Sequence, residues 1–137
     1  VTGLGASAYS IYGAGVDTQT MKEVVEKYSF TGSIQTGPFF MLELGISFHD
    51  IAFHDNMIWY ALGSGGENSV EVYNSSGSLI HWIPSSIVPG AYGLTFDDAG
   101  YLWASDTNTD ELYKISVDFT ALERETWGAI KATVGSL

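Results

Sequence analysis

Two His-Asp pairs, His49-Asp50 and His54-Asp55, are the residues of this chain whose types and adjacency suit acid–base or metal chemistry. An imidazole titrates near neutrality, and a neighbouring carboxylate can orient it or stabilise its charge. An internal repeat, set out below, brings Tyr92 opposite His49. His49, Asp50 and Tyr92 are therefore the set that a metal-assisted enzyme would use. His54 falls at the other end of the same extended segment. At roughly 3.3 Å per residue that end is more than about 10 Å away, too far for one metal ion to take both imidazoles. His81 belongs to an outer strand, at the surface or an interface. The competing reading of every one of these histidines is structural.

Asp106-Thr107-Asn108-Thr109-Asp110 has the D-x-N-x-D rhythm in which alternating oxygens converge on a hard cation. Calcium is the one cofactor this suggests, with Asp106, Asn108 and Asp110 as ligands. An EF-type loop wants glycine next and glutamate at its twelfth position, and Glu111 and Val117 stand there instead. An ordinary Asp/Asn turn between two strands explains the same residues. Trp59 and Trp103 take equivalent places in the repeat. They are either core residues between packed sheets or platforms on which sugar rings stack. Trp82 and Trp127 lie on outer or terminal segments and suit exposed contacts with a glycan or another extracellular protein. No nucleophile elbow or dinucleotide fingerprint is present. Gly63-Ser64-Gly65-Gly66 lacks the following helix that a phosphate loop requires.

The elements that must position these residues follow from composition and pattern. At 137 residues with 45% apolar and 14% aromatic side chains, the chain has material for one globular domain with a core. Sixteen acidic against five basic residues, a net charge of −11, argue against nucleic acid or an anionic membrane as partner. Cysteine is absent, which removes disulfides and thiolate metal sites. No apolar run reaches the roughly 18 residues of a transmembrane helix. The first residue is Val1, as in a processed or excised chain, and the composition suits an extracellular, secreted protein. Asn74-Ser75-Ser76 is a formal glycosylation sequon in a segment that reads as a turn.

Tyr92 to Val117 reads as three short strands, 93–96, 101–104 and 112–117, split by the turns 97–100 and 106–110. Apolar and aromatic runs bounded by Asp, Asn and Gly at this spacing predict an antiparallel meander. Tyr9-Ser10-Ile11-Tyr12-Gly13 aligns with Met57-Ile58-Trp59-Tyr60-Ala61 and with Tyr101-Leu102-Trp103-Ala104-Ser105. Tyr28 to Ser33 aligns with Tyr73 to Ser78, and Asp50 to Asp55 with Gly93 to Asp98. The period is in the mid-forties. It divides the chain into three units, about 1–45, 46–90 and 91–137, within a single repeat domain.

The middle unit predicts strands at 50–53, 57–62, 69–73 and 78–83, with Pro84 to Pro89 crossing to the next unit. In the first unit Val1 to Ser7 is expected as the innermost strand. Met21 to Tyr28 has helical periodicity, but the repeat predicts a strand there. In the last unit Thr120 to Glu123 reads as a capping box, and residues 122–134 read equally well as a fourth strand.

The succession Gly-Leu-x-Phe, Asp-x-x-Gly, Leu-Trp-x-x-Asp at Gly93 to Asp106 resembles blades of the NHL, senescence-marker-protein and virginiamycin B lyase-like propellers. It is matched again from Asp50 to Tyr60. The resemblance implies an all-β fold of β-propeller type with about three four-stranded antiparallel blades. It does not imply one chemistry, since such propellers include lyases, lactonases, lectins and scaffolds. Glu125 to Ala132 also resembles a Trp-Gly-x-Ile-Lys segment that closes some secreted bacterial repeat proteins. Closed propellers hold four to eight blades, so a ring of three needs completion by a missing segment or by copies of the chain. Two copies would give six blades, and head-to-tail addition without closure a fibre or tube. The expectation is a secreted, non-enzymatic, self-assembling structural or binding module, with a metal-assisted enzyme or an oligomeric lectin as alternatives.

Overall fold

A computed structural model describes residues 3–42, 48–117 and 132–134. Every regular element among them is a β-strand. The first four are β1 (Gly3–Ala6), β2 (Ile11–Asp17), β3 (Lys22–Tyr28) and β4 (Ile34–Leu42). Next come β5 (Asp50–His54), β6 (Met57–Ala61), β7 (Asn68–Tyr73) and β8 (Leu79–Pro84). The last four are β9 (Ala91–Phe96), β10 (Tyr101–Asp106), β11 (Glu111–Ser116) and β12 (Ala132–Val134). Each group of four is one antiparallel sheet whose strands neighbour in chain order. The expected three meanders are therefore present. The segment 22–28 is extended despite its helical periodicity. Of residues 120–134, only 132–134 are described, as a strand on β11; the capping box and Trp127 lie outside the described residues.

Turn chemistry explains where the strands end. Asp55 and Asn56 both have positive φ (51° and 59°), as a two-residue hairpin turn of the primed type demands. Three other turns share one scheme. Ser29–Ser33, Asn74–Ser78 and Asp97–Tyr101 each close with the first residue's N–H donating to the fifth residue's carbonyl. In each, the fourth residue is a glycine with φ near +80°, namely Gly32, Gly77 and Gly100. Asn74 Oδ1 accepts from the Ser76 and Ser78 amides, so the sequon asparagine is a turn cap.

The sheets stack face to face in chain order, with their first strands β1, β5 and β9 side by side. We call the face turned towards the next sheet leading and the opposite face trailing. Trp59, Ala61, Val70 and Val72 on the leading face of the middle sheet meet Leu102, Ala104, Tyr113 and Ile115 on the trailing face of the third. Tyr12, Ala14 and Val25 lead from the first sheet onto Ile58, Tyr60 and Tyr73 of the middle one. The glycines of β1 make the second contact possible. A Cβ on Gly3 would lie 2.8 Å from the Ile51 amide nitrogen.

One part of the sequence alignment shifts by a residue. Tyr12 stacks on Phe53 of the next sheet, and Trp59 meets Phe96 of its next sheet edge-on. Tyr12, not Ile11, is thus the counterpart of Trp59. Gly5↔Tyr12, Ala52↔Trp59 and Thr95↔Trp103 are the matching strand pairs. Because strand side chains alternate, the one-residue correction reverses every face of β2.

Candidate functional site

His49 and Tyr92 come together. Their ring centroids are 4.1 Å apart, at the entrance to the neighbouring first strands. Asp50 follows on β5 but turns its carboxylate to the third sheet, where Oδ2 accepts from the Leu94 amide at 2.9 Å. Asp50 therefore ties two first strands together. This arrangement gives an exposed imidazole on an aromatic ring, beside a carboxylate engaged with backbone. At the other end of β5, His54 stacks on Phe96 with centroids 4.0 Å apart and Nε2 3.4 Å from Asp55 Oδ2. His81 is half-buried on β8. No group of three or more His, Asp or Glu that could hold a metal ion occurs among the described residues.

Asp106 is 2% exposed and works on the backbone. Oδ2 accepts from the Gly90 amide, and Oδ1 from the amides of Asn108 and Thr109. Asn108 and Asp110 are exposed, and Asp110 takes the positive φ that closes the turn. The same device stands in the first sheet, where Asp17 Oδ1 accepts from the Gln19 and Thr20 amides and Met21 has the positive φ. Asp17-Thr18-Gln19-Thr20 and Asp106-Thr107-Asn108-Thr109 are one repeated turn, a match that was there to be found in the sequence. In both places the leading aspartate caps a turn, and at Asp106 to Asp110 that turn carries the D-x-N-x-D rhythm.

The tryptophans separate. Trp59 is 1% exposed, enclosed between the middle and third sheets, and so has no ring face for a sugar. Trp82 is half-buried on β8. Trp103 points the other way from the core, on the leading face of the third sheet. There Lys114 Nζ sits 4.1 Å from the Tyr101 ring centroid and 5.2 Å from that of Trp103. Asp97 completes the cluster, accepting from Trp103 Nε1 at 3.0 Å, with Lys114 Nζ at 3.8 Å. The Trp103 indole N–H, then the Tyr101 amide, hold the Asp97 carboxyl below its ordinary value, and the Lys114 charge adds to this.

A further constellation escaped the sequence reading. Each third strand carries Glu-x-Tyr, and in each the tyrosine hydroxyl donates to the glutamate two residues before it. The pairs are Tyr28 to Glu26, Tyr73 to Glu71 and Tyr113 to Glu111. The hydrogen bond to Glu26 raises the Tyr28 phenol above its usual range. All three pairs lie on trailing faces. The signal was three occurrences of a two-letter pattern, obscured because Tyr113 sits two residues earlier in its strand than Tyr73 does in its own. Tyr73 pairs with Ile58, the counterpart of Leu102, whereas Tyr113 pairs with Ala104.

No family model, curated protein or solved structure matches this chain.

Proposed function

We propose that this chain is an extracellular, non-enzymatic module of β-propeller type that works by assembling with copies of itself. One observation carries the reading. The end sheets have outer faces built like the inner ones, yet no sheet among the described residues covers them. Tyr101, Trp103 and Lys114 occupy the leading face of the third sheet, where the middle sheet buries Trp59 and Val72. Leu4, Ile11 and Tyr28 occupy the trailing face of the first, and Leu4 is 64% exposed. Unpaired apolar faces of this kind are association surfaces. Blade-like residues at Gly93 to Asp106 and sheets joined through their first strands support the propeller type. The acidic, cysteine-free composition suits a secreted protein.

Sedimentation velocity and light scattering at micromolar concentrations test the reading. A dimer or larger homo-oligomer is expected. A chain that stays monomeric across the whole concentration range refutes self-assembly.

A further inference from the structure

We infer that the leading face of the third sheet docks on the trailing face of the first sheet of a second copy, with Lys114 opposite the Glu26–Tyr28 pair. The inference rests on the self-assembly reading and names the surfaces that carry it.

The chain already contains this contact twice. Leading faces meet trailing faces at both internal interfaces, and each trailing face brings a Glu-x-Tyr pair to the contact. Glu71–Tyr73 faces the first sheet and Glu111–Tyr113 faces the middle sheet. Glu26–Tyr28 has no preceding sheet among the described residues. The leading faces carry one repeated position on the third strand, fixed by pairing with Tyr12, Trp59 and Trp103. That position is Lys27, Val72 and Lys114 in turn. Among the described residues, the leading face of the third sheet thus presents the Lys114 ammonium, with Asp97 beside it, and the trailing face of the first sheet presents the Glu26 carboxylate.

The trailing face also offers apolar surface: the Tyr28 ring and Leu4 lie over Gly13, where a Cβ would come within 3.2 Å of that ring. On the leading face Tyr101 and Trp103 lie beneath the Lys114 ammonium. In a chain of net charge −11, copies repel one another at long range, so a locally opposite pair selects one mutual orientation. The contact is heterologous: two copies close it into a ring of six sheets, or it continues as a filament.

Lys114→Glu and Glu26→Lys test the pairing, each checked for native folding by circular dichroism and unfolding midpoint. The wild-type chain is expected to associate, and each variant alone to associate about tenfold or more weakly, since each then faces like charge. An equimolar mixture of the two variants is expected to recover association. In a mixed ring one interface is wild-type and the other carries the exchanged pair. Wild-type association with both variants unaffected, or weakened variants that the mixture does not rescue, overturns this pairing and leaves self-assembly standing. A monomeric wild type overturns both.

Discussion

Replacing Gly3 by alanine probes how closely the first strand lies on the middle sheet. The new Cβ would meet the Ile51 amide nitrogen at 2.8 Å and Asp50 Cα at 3.0 Å. Both are backbone atoms of β5, so neither can rotate aside and β1 must move away. Overpacking of this kind costs about 1–3 kcal/mol. Losing the glycine's freedom in the unfolded chain returns about 0.4–1 kcal/mol. The net expectation is a loss of about 1–2 kcal/mol, a sizeable fraction of the roughly 5–15 kcal/mol that keeps a domain folded. Gly5→Ala is the internal control. Its Cβ meets the Phe53 amide nitrogen at 3.3 Å, which a shift of a few tenths of an ångström relieves, so the opposing effects nearly cancel. Urea unfolding followed by tryptophan fluorescence, at one fixed protein concentration, measures both. A Gly3→Ala chain as stable as wild type, or a larger loss at Gly5 than at Gly3, would refute the close approach of β1 to β5.

Two further outcomes follow from the tryptophans and Asp97. Trp59→Ala is expected to cost about 3–5 kcal/mol, because the indole fills the space between two sheets. Trp103→Ala should cost about 1 kcal/mol. Equal losses in urea titrations would show that both rings are core. Asp97 has a depressed folded-state pKa, so its contribution to stability is fully present above the unfolded-state value, about 3.9. That contribution is lost as pH falls through the lower folded-state value. The stability gap between wild type and Asp97→Asn should therefore be widest near neutrality and close in acid. A gap that widens on acidification would contradict the hydrogen bonds assigned to Asp97.

The repeat was legible because its turns are chemically explicit. Asp, Asn or Ser at the first position and Gly at the fourth require the same five-residue closure wherever they occur. The first unit was harder, for a physical reason. Its innermost strand is packed through glycines against another backbone, so the apolar side chains that mark strands elsewhere are missing. Alignment through Tyr9 and Ile11 then slipped by one residue, enough to exchange the two faces of β2. Helical periodicity in Met21 to Tyr28 arises because Val24 and Val25 serve opposite faces of β3, and adjacent apolar residues break the strand's alternation. The neighbouring rings of His49 and Tyr92 were predictable from the repeat. The use of Asp50 as a clamp on Leu94 was not, since an amide acceptor leaves no pattern in sequence. Nor does D-x-N-x-D distinguish oxygens offered to a cation from oxygens offered to the backbone.

Among the described residues of one chain, the middle sheet alone has neighbouring sheets on both sides, and this distributes cohesion unevenly along the stack. Trp59 and Tyr60, adjacent in sequence, belong to different cores. Peeling away an end sheet would dissolve one of those cores, whereas disordering the middle sheet would dissolve both. The second unit is therefore the keystone, and the outer two are its tenants. Additional middle units, placed between the ends, would lengthen the stack without asking either terminal unit to change its partner's character.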